Sequence, residues 1–383
     1  MKRSFTAFTA VFMAFSLCSC GQSGRENGKI RKDLSAMDYA HEMGVGINLG
    51  NTMEAFWQDT NNKNSGASKV GDLPQDYEKC WGAVVTTQEC IDGMKEAGFN
   101  TVRIPVYWGN MMENDGSYKI NEDYIARVKE IVDYCRNDGL YTVINVHHYD
   151  EFLIKNHEQA EVYDIVDNIW TQIAEYFKDY SDYLIFEGFN EALGTPQDGT
   201  TLSETDAYAY VNAMNQHFVD AVRKTGGNNE NRMLIVSGYW TNIDNTTNAM
   251  FKMPLDTAED KLMVSVHYID NVPYWSNKIG GDYWLTYSTQ QCEELKNAFS
   301  INKIPVFVGE CTSIYEKNRI EKGQEGTSSE YLSTILNMAV DYDFVPVLWD
   351  VNDNFYSRTE FKIKSDSDSE VIKNISEKIK NKG

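Results

Sequence analysis

The feature that most constrains this chain is a repeated alternation of two hydrophobic periods. Eight short apolar segments rich in β-branched residues lie at 45–49, 101–107, 142–147, 183–189, 233–237, 262–267, 305–309 and 345–349. Several show little polar alternation, as strands covered on both faces do. Amphipathic helical patterns run between them. The clearest is capped by Asn121, places Glu122 and Asp123 at its positive end, repeats Ile125, Val128, Ile131, Val132 and Cys135 on one face, and stops at Gly139. Others occupy 87–97, 165–177, 205–222, 289–299, 329–340 and 369–379, and a short one at 35–43 is capped by Ser35. The connection 242–251 carries the weakest helical pattern. Strand and helix alternate this often without a long linker, so one (β/α)8 TIM barrel spanning 35–383 is expected, not two doubly wound domains.

The chain opens differently. Lys2 and Arg3 precede an apolar run at 5–17, too short to span a bilayer but suited to a signal peptide. It closes on Leu17-Cys18-Ser19-Cys20, which resembles a bacterial lipobox. The expectation is a signal peptide over 1–19, lipidation of Cys20 and a flexible tether over 20–34, giving an exported protein anchored at the cell envelope. A plain secretory signal is the alternative. The five later cysteines are odd in number and form no Cys-x-x-Cys pair, which argues against a zinc cage. Cys80 and Cys90 are spaced for a local disulfide in an oxidising compartment, and Cys135, Cys292 and Cys311 read as buried thiols.

A net charge of −22 lacks the clustered cations that nucleic acid or an anionic membrane surface requires, leaving the lipid as the only membrane contact. Aromatic residues make up 13% of the chain, more than a core needs, and flat rings suit the apolar faces of a neutral sugar. A monomer is expected.

In a barrel the last residues of each strand converge on one pocket. Here they read Asn48-Leu-Gly-Asn51, then Arg103, Asn145-Val-His147-His148, Asn190-Glu191, His267-Tyr268, Gly309-Glu310 and Trp349-Asp350. Glu191 and Glu310 thus face one another from the fourth and seventh strands. Paired carboxylates suit glycoside hydrolysis, in which one group protonates the leaving oxygen while the other attacks the anomeric carbon or activates water.

Six stretches then fall into a known order: 46–52 (GINLGNT), 98–106 (GFNTVRIPV), 143–148 (VINVHH), 186–191 (FEGFNE), 305–310 (PVFVGE) and 347–349 (VLW). Together they resemble the signatures of glycoside hydrolase family five, the cellulase family, from about Ser35 to the C-terminus. Trp81-Gly82 and the stretch 211–227 look most like its endoglucanase and xyloglucanase branch. The resemblance implies a retaining endo-β-1,4-glucanase that hydrolyses β-glucan or xyloglucan without a cofactor. Glu191 would be the general acid/base and Glu310 the nucleophile. Asn190 would bind the sugar 2-hydroxyl, Trp349 would be the platform beneath the sugar, and Asn51, Arg103, His147, His148, His267 and Tyr268 would complete the substrate-binding pocket. A β-mannanase of the same fold is the alternative within this chemistry.

Two positions depart from the family pattern. The tyrosine that steadies the nucleophile belongs two residues after the strand-six histidine, where this chain has Ile269; Tyr268 stands one residue earlier. Either the strand end bulges to present Tyr268 or the nucleophile lacks that donor. Cys311 also replaces a common aromatic. These departures motivate a rival of another class, a glycan-binding barrel without turnover.

Other polar and aromatic residues have plainer readings. His147-His148 followed by Asp150 and Glu151 resembles a metal site, but adjacent residues on a strand point to opposite faces, so no metal is expected. Glu187 reads as support for Arg103 or the histidines. Trp57, Trp108, Trp240, Trp275 and Trp284 fall in or near predicted mouth loops as candidate sugar platforms or as loop packing, whereas Trp170 reads as core.

Overall fold

Eight parallel strands close into a barrel in chain order: β1 (Gly46–Asn48), β2 (Thr101–Ile104), β3 (Tyr141–Asn145), β4 (Leu184–Glu187), β5 (Leu234–Ser237), β6 (Leu262–His267), β7 (Val306–Thr312) and β8 (Val345–Trp349). Gly46 pairs with Thr101 on one side and Val347 on the other, which shuts the ring. This computed structural model describes residues 28–193, 202–270, 283–312 and 328–382.

Around the barrel lie α1 (Ala36–Met43), α2 (Pro74–Glu78), α3 (Gln88–Ala97), α4 (Glu122–Asn137), α5 (Tyr149–Asn156), α6 (Gln159–Tyr176), α7 (Glu204–Lys224), α8 (Ile243–Thr247), α9 (Tyr283–Ala298), α10 (Ser328–Asp341) and α11 (Asp366–Lys382). The capping expectations hold: Asn121 accepts from the backbone N–H of Asp123 and Tyr124, and Ser35 caps α1 in a reciprocal box with Asp38. The connection 242–251 contains only the five-residue α8. β2, β3 and β4 stop short of the apolar runs that contain them, because their last residues leave the sheet to form the mouth. A hairpin of β9 (Tyr356–Ser357) and β10 (Lys362–Ile363) follows β8. Asp350 anchors it, accepting from the N–H groups of Phe355 and Tyr356.

The core has two parts. The larger packs the strands' outward faces against the helices and includes Trp170, fully buried as expected. The smaller fills the barrel's floor, where Tyr39 and Met43 of α1 meet Tyr141, Ile185, Ile235, Phe307 and Val347. Each large apolar side chain buried there contributes on the order of 1.5–3 kcal/mol, so α1 is a plug as well as an entry.

Residues 28–34 are not the flexible tether expected. Arg31 pairs with Asp182, with Glu42 at 2.8 Å and with the Tyr141 hydroxyl at 2.8 Å, while Lys261 donates to the carbonyls of Lys32 and Leu34. The chain is therefore strapped across the floor. The signal peptide and Cys20 lie outside the described residues, and among those described no helix is long and apolar enough to cross a membrane.

Cys80 and Cys90 do not pair, and all five thiols after Cys20 are free. Cys90 faces the core from α3, while Cys80 is only half-buried beyond α2. Burial pushes their thiols up to about 12 and about 11, which suppresses the reactive thiolate.

Candidate active site

The pocket is built around a cation from β2. Arg103 is fully buried, and a guanidinium so placed is tolerable only if its donors are met. Nε donates to Glu187 at 2.7 Å, Nη1 to Asn48 at 2.9 Å and Glu310 at 3.2 Å, and Nη2 to Asn190 at 2.8 Å. Burial alone would lower its pKa, but the charges of Glu187 and Glu310 outweigh burial and the net shift is upward. Glu187 is thus the support expected from sequence. Its other oxygen accepts from Ser265 at 3.1 Å, and Asn145 donates to the first at 3.1 Å.

Glu310 is buried at the end of β7. Arg103 holds Oε1, and Oε2 accepts a 2.6 Å bond from the Tyr268 hydroxyl. Of the two possibilities for the strand-six end, the bulge is realised. The register of β6 against β7 shifts between Val266 and His267, Tyr268 takes a φ of +55°, and Ile269 turns into the core. Cys311 is buried too, facing away from the mouth into the apolar layer.

Glu191 stands beyond β4 with its side chain partly exposed, and His267 Nδ1 lies 2.8 Å from its Oε1 and 3.7 Å from Glu310 Oε1. Burial would depress the imidazole's pKa, yet Glu310 and Glu191 raise it on balance. Gly309 packs closely here, since a Cβ on it would stand 3.1 Å from His267 Nε2 and press on the imidazole. An oxygen of Glu191 and one of Glu310 lie within 4.8 Å of each other. The same distance limit includes His267, so the three groups have the spacing of metal ligands. Glu310, however, has one oxygen on a guanidinium and the other on a phenol, which leaves little for a second cation.

The two adjacent histidines correct the opposite-faces argument. β3 ends at Asn145, so neither is on a strand, and His148 takes a φ of +60° at the start of α5. The rings meet edge to face at 4.3 Å. Burial, together with the neighbouring cations His148, Arg103 and His267, drives His147 well below its ordinary pKa, and its ring lies parallel to Trp349 at 6.0 Å. His148 is the opposite case: burial opposes its charge, but Glu151, 3.8 Å away, and Glu54 raise it.

Asn51 lies three residues beyond β1 with a φ of +60°, half-buried, and its N–H donates to the fully buried Glu54. Trp57 and Trp240 are exposed at 55% and 43% and are available to a ligand. Trp108 is not. It is completely buried and donates from Nε1 to the Asn145 carbonyl at 2.7 Å, so it supports β3 from behind. Trp275 and the Trp284 side chain lie outside the described residues.

Sequence reasoning placed Asn48 and Asn145 at the mouth without giving them a role, and missed Ser265 and Glu54. Ser265 carried a signal, since it is a polar residue inside an otherwise apolar strand. Glu54, in a loop, carried none.

Residues 60–355 match the family described as cellulase (glycosyl hydrolase family 5). Endoglucanase A of Clostridium longisporum is 36% identical over 85% of this chain, which spans 60% of that relative's length. Endoglucanase A of Paenibacillus barcinonensis is 32% identical over 91% of this chain and 90% of its own length. Among solved structures, a Bacteroides ovatus xyloglucanase in complex with a heptasaccharide superposes with a TM-score of 0.77 at 28% identity, covering 91% of this chain and 78% of that one.

Proposed function

The chain belongs to glycosyl hydrolase family 5, the cellulase family, and from that premise we propose that it is a retaining endo-β-1,4-glucanase acting on β-glucan or xyloglucan. The observation that carries this reading is the Glu191–Glu310 separation, with oxygens within 4.8 Å. Retaining enzymes hold their carboxyl groups roughly 5–5.5 Å apart, whereas inverting ones need about 6.5–9.5 Å to admit a water.

Glu310 attacks the anomeric carbon as Glu191 protonates the departing oxygen, and a glycosyl ester forms on Glu310. Water, deprotonated by Glu191, then releases the sugar with its configuration retained. Arg103 and Tyr268 keep Glu310 oriented. The side-chain Oδ1 of Asn190 is held by Arg103, leaving its amide NH2 for the sugar 2-hydroxyl, and Trp349 offers its face beneath the ring. The pocket is anionic and aromatic, which suits a neutral β-glycan. With Tyr268 bonded to Glu310, the motive for a binding barrel without turnover disappears. The test is incubation with xyloglucan, barley β-glucan, carboxymethylcellulose and mannan, followed by product analysis. Cleavage of mannan alone, or of nothing, would overturn the reading.

We further propose that the protein is a monomer, exported and lipidated on Cys20. The lipobox supports anchoring, and the strap at 28–34 gives it a direction. Seven residues lie between Cys20 and Gly28, a reach of at most about 28 Å over the eight steps, so the floor faces the membrane and the mouth opens away from it. Palmitate labelling lost in Cys20→Ala tests the anchor, and sedimentation tests the monomer.

A further inference from the structure

Two consecutive residues beyond β5 hold conformations that L side chains avoid. Trp240 has a φ of +61° and Thr241 a φ of +47°. Such a backbone is costly for a bulky residue and most costly for a β-branched one, so it persists only where surrounding contacts enforce it. A tryptophan and a threonine here, in place of glycine or asparagine, call for a reason.

Their hydrogen bonds supply one. The Trp240 N–H donates to the Ala192 carbonyl at 2.7 Å, and the Thr241 hydroxyl donates to the Asn190 carbonyl. Those two carbonyls flank Glu191 on either side. Thr241 is fully buried, its own N–H donates to Gly238 at 3.0 Å, and its hydroxyl also lies 3.3 Å from Ser237 Oγ at the end of β5. Glu191 needs such support because β4 has already ended at Glu187 and no ladder reaches it. On the other side, the Asn190 N–H donates to Val146 beyond β3 at 3.0 Å.

We propose that Trp240 and Thr241 form a strained clamp that positions Glu191 for proton transfer. Trp240 acts through its backbone N–H and Thr241 through its hydroxyl, so both are positioning residues for the acid/base, and the inference rests on the role given to Glu191 above. Proton donation matters most when the leaving group is poor. Loosening the clamp therefore impairs cleavage of an unactivated bond far more than of an activated one.

The experiment compares kcat/KM for a cello-oligosaccharide and for 2,4-dinitrophenyl β-cellobioside, whose leaving group departs without protonation. General acid catalysis contributes about 10²–10⁴-fold, and a displaced acid forfeits part of that. Thr241→Val should lose about tenfold or more on the oligosaccharide and less than about threefold on the aryl glycoside, with Thr241→Ser restoring most of the loss. Should the valine variant not fold, Thr241→Ala, relieved of β-branching, is read in its place. Equal losses on the two substrates, or none, would overturn the clamp. Glu191→Ala measured alongside separates the two claims: if it too affects both substrates equally, the acid assignment fails, and if it alone discriminates, only the clamp does.

Discussion

The hydroxyl of Tyr268 donates to Oε2 of Glu310 at 2.6 Å, from a residue in the left-handed region at φ +55°. It does so one position earlier in the chain than the family pattern places its tyrosine. The register shift between Val266 and His267 swings residue 268 into the mouth and sends Ile269 into the core. The partnership with Glu310, the proposed nucleophile, is thus kept by moving the backbone instead of the residue.

Tyr268→Phe is therefore expected to lower kcat/KM on xyloglucan by about 10- to 150-fold, since a hydrogen bond to a charged group is worth about 1.5–3 kcal/mol. Adding Ile269→Tyr should not restore it, because that side chain points into packed core, where overfilling costs about 1–3 kcal/mol. Steady-state kinetics and thermal melts of the single and double variants check both statements. Recovery in the double variant would mean that the strand end does not bulge as described.

Glu310 should carry the covalent intermediate. A 2-deoxy-2-fluoro cellobioside with an activated leaving group is expected to inactivate the enzyme and add one glycosyl mass to the peptide containing Glu310. Proton NMR of early products should show the β-anomer first. An α-anomer, or label on Glu191, would contradict the assignment, and Glu310→Gln should reduce turnover to the detection limit.

Arg103 bridges Glu187 and Glu310 with no exposed surface. Arg103→Met should destabilise the fold by roughly 3–5 kcal/mol, because two buried carboxylates lose their shared counter-charge. Glu187→Gln, which keeps hydrogen-bonding atoms in place, should cost less. Urea denaturation of the three proteins checks the order, and a loss below about 1 kcal/mol for Arg103→Met would show that the charges find other partners.

Asp150 gives the pH prediction. It is completely buried at the start of α5, and burial together with the charge of Glu151 pushes its carboxyl from the ordinary 3.8 up to about 8. An acid whose folded pKa is raised binds more protons folded than unfolded, so its contribution to stability is lost as pH rises from about 4 to about 8 and is flat above. Asp150→Asn should remove that component, raising Tm at pH 8 relative to wild type and flattening the decline between pH 5 and 8. Identical pH profiles for the two proteins would count against a protonated Asp150.

Most of the barrel was legible because its signals are local. Apolar runs marked all eight strands, and Asn121 and Ser35 marked helix starts by chemistry acting within three residues. The strand-end residues, Asn48 and Asn145 among them, were legible for the same reason, and a polar intruder such as Ser265 is found by asking which inward positions break an apolar run. The readings that failed depended on direction instead of position. The opposite-faces reading of His147 and His148 fails because β3 does not continue past Asn145, and of the two readings open for Trp108 only the direction of its indole, turned into the core, selects packing over a sugar platform.

The sequence by itself determined the order of strands and helices, the fold they close into and the residues at the strand ends, since each follows from periodicity and capping over a few neighbours. Only the tertiary structure decided which of those residues touch. Arg103 meets Glu310 across 207 positions of chain, Tyr268 reaches Glu310 through a bulge that depends on the register of two strands, and Arg31 is drawn onto the floor by Glu42, Asp182 and Tyr141. Such contacts are set by side-chain directions and buried charges that come together only when the ring closes, and no local pattern records them.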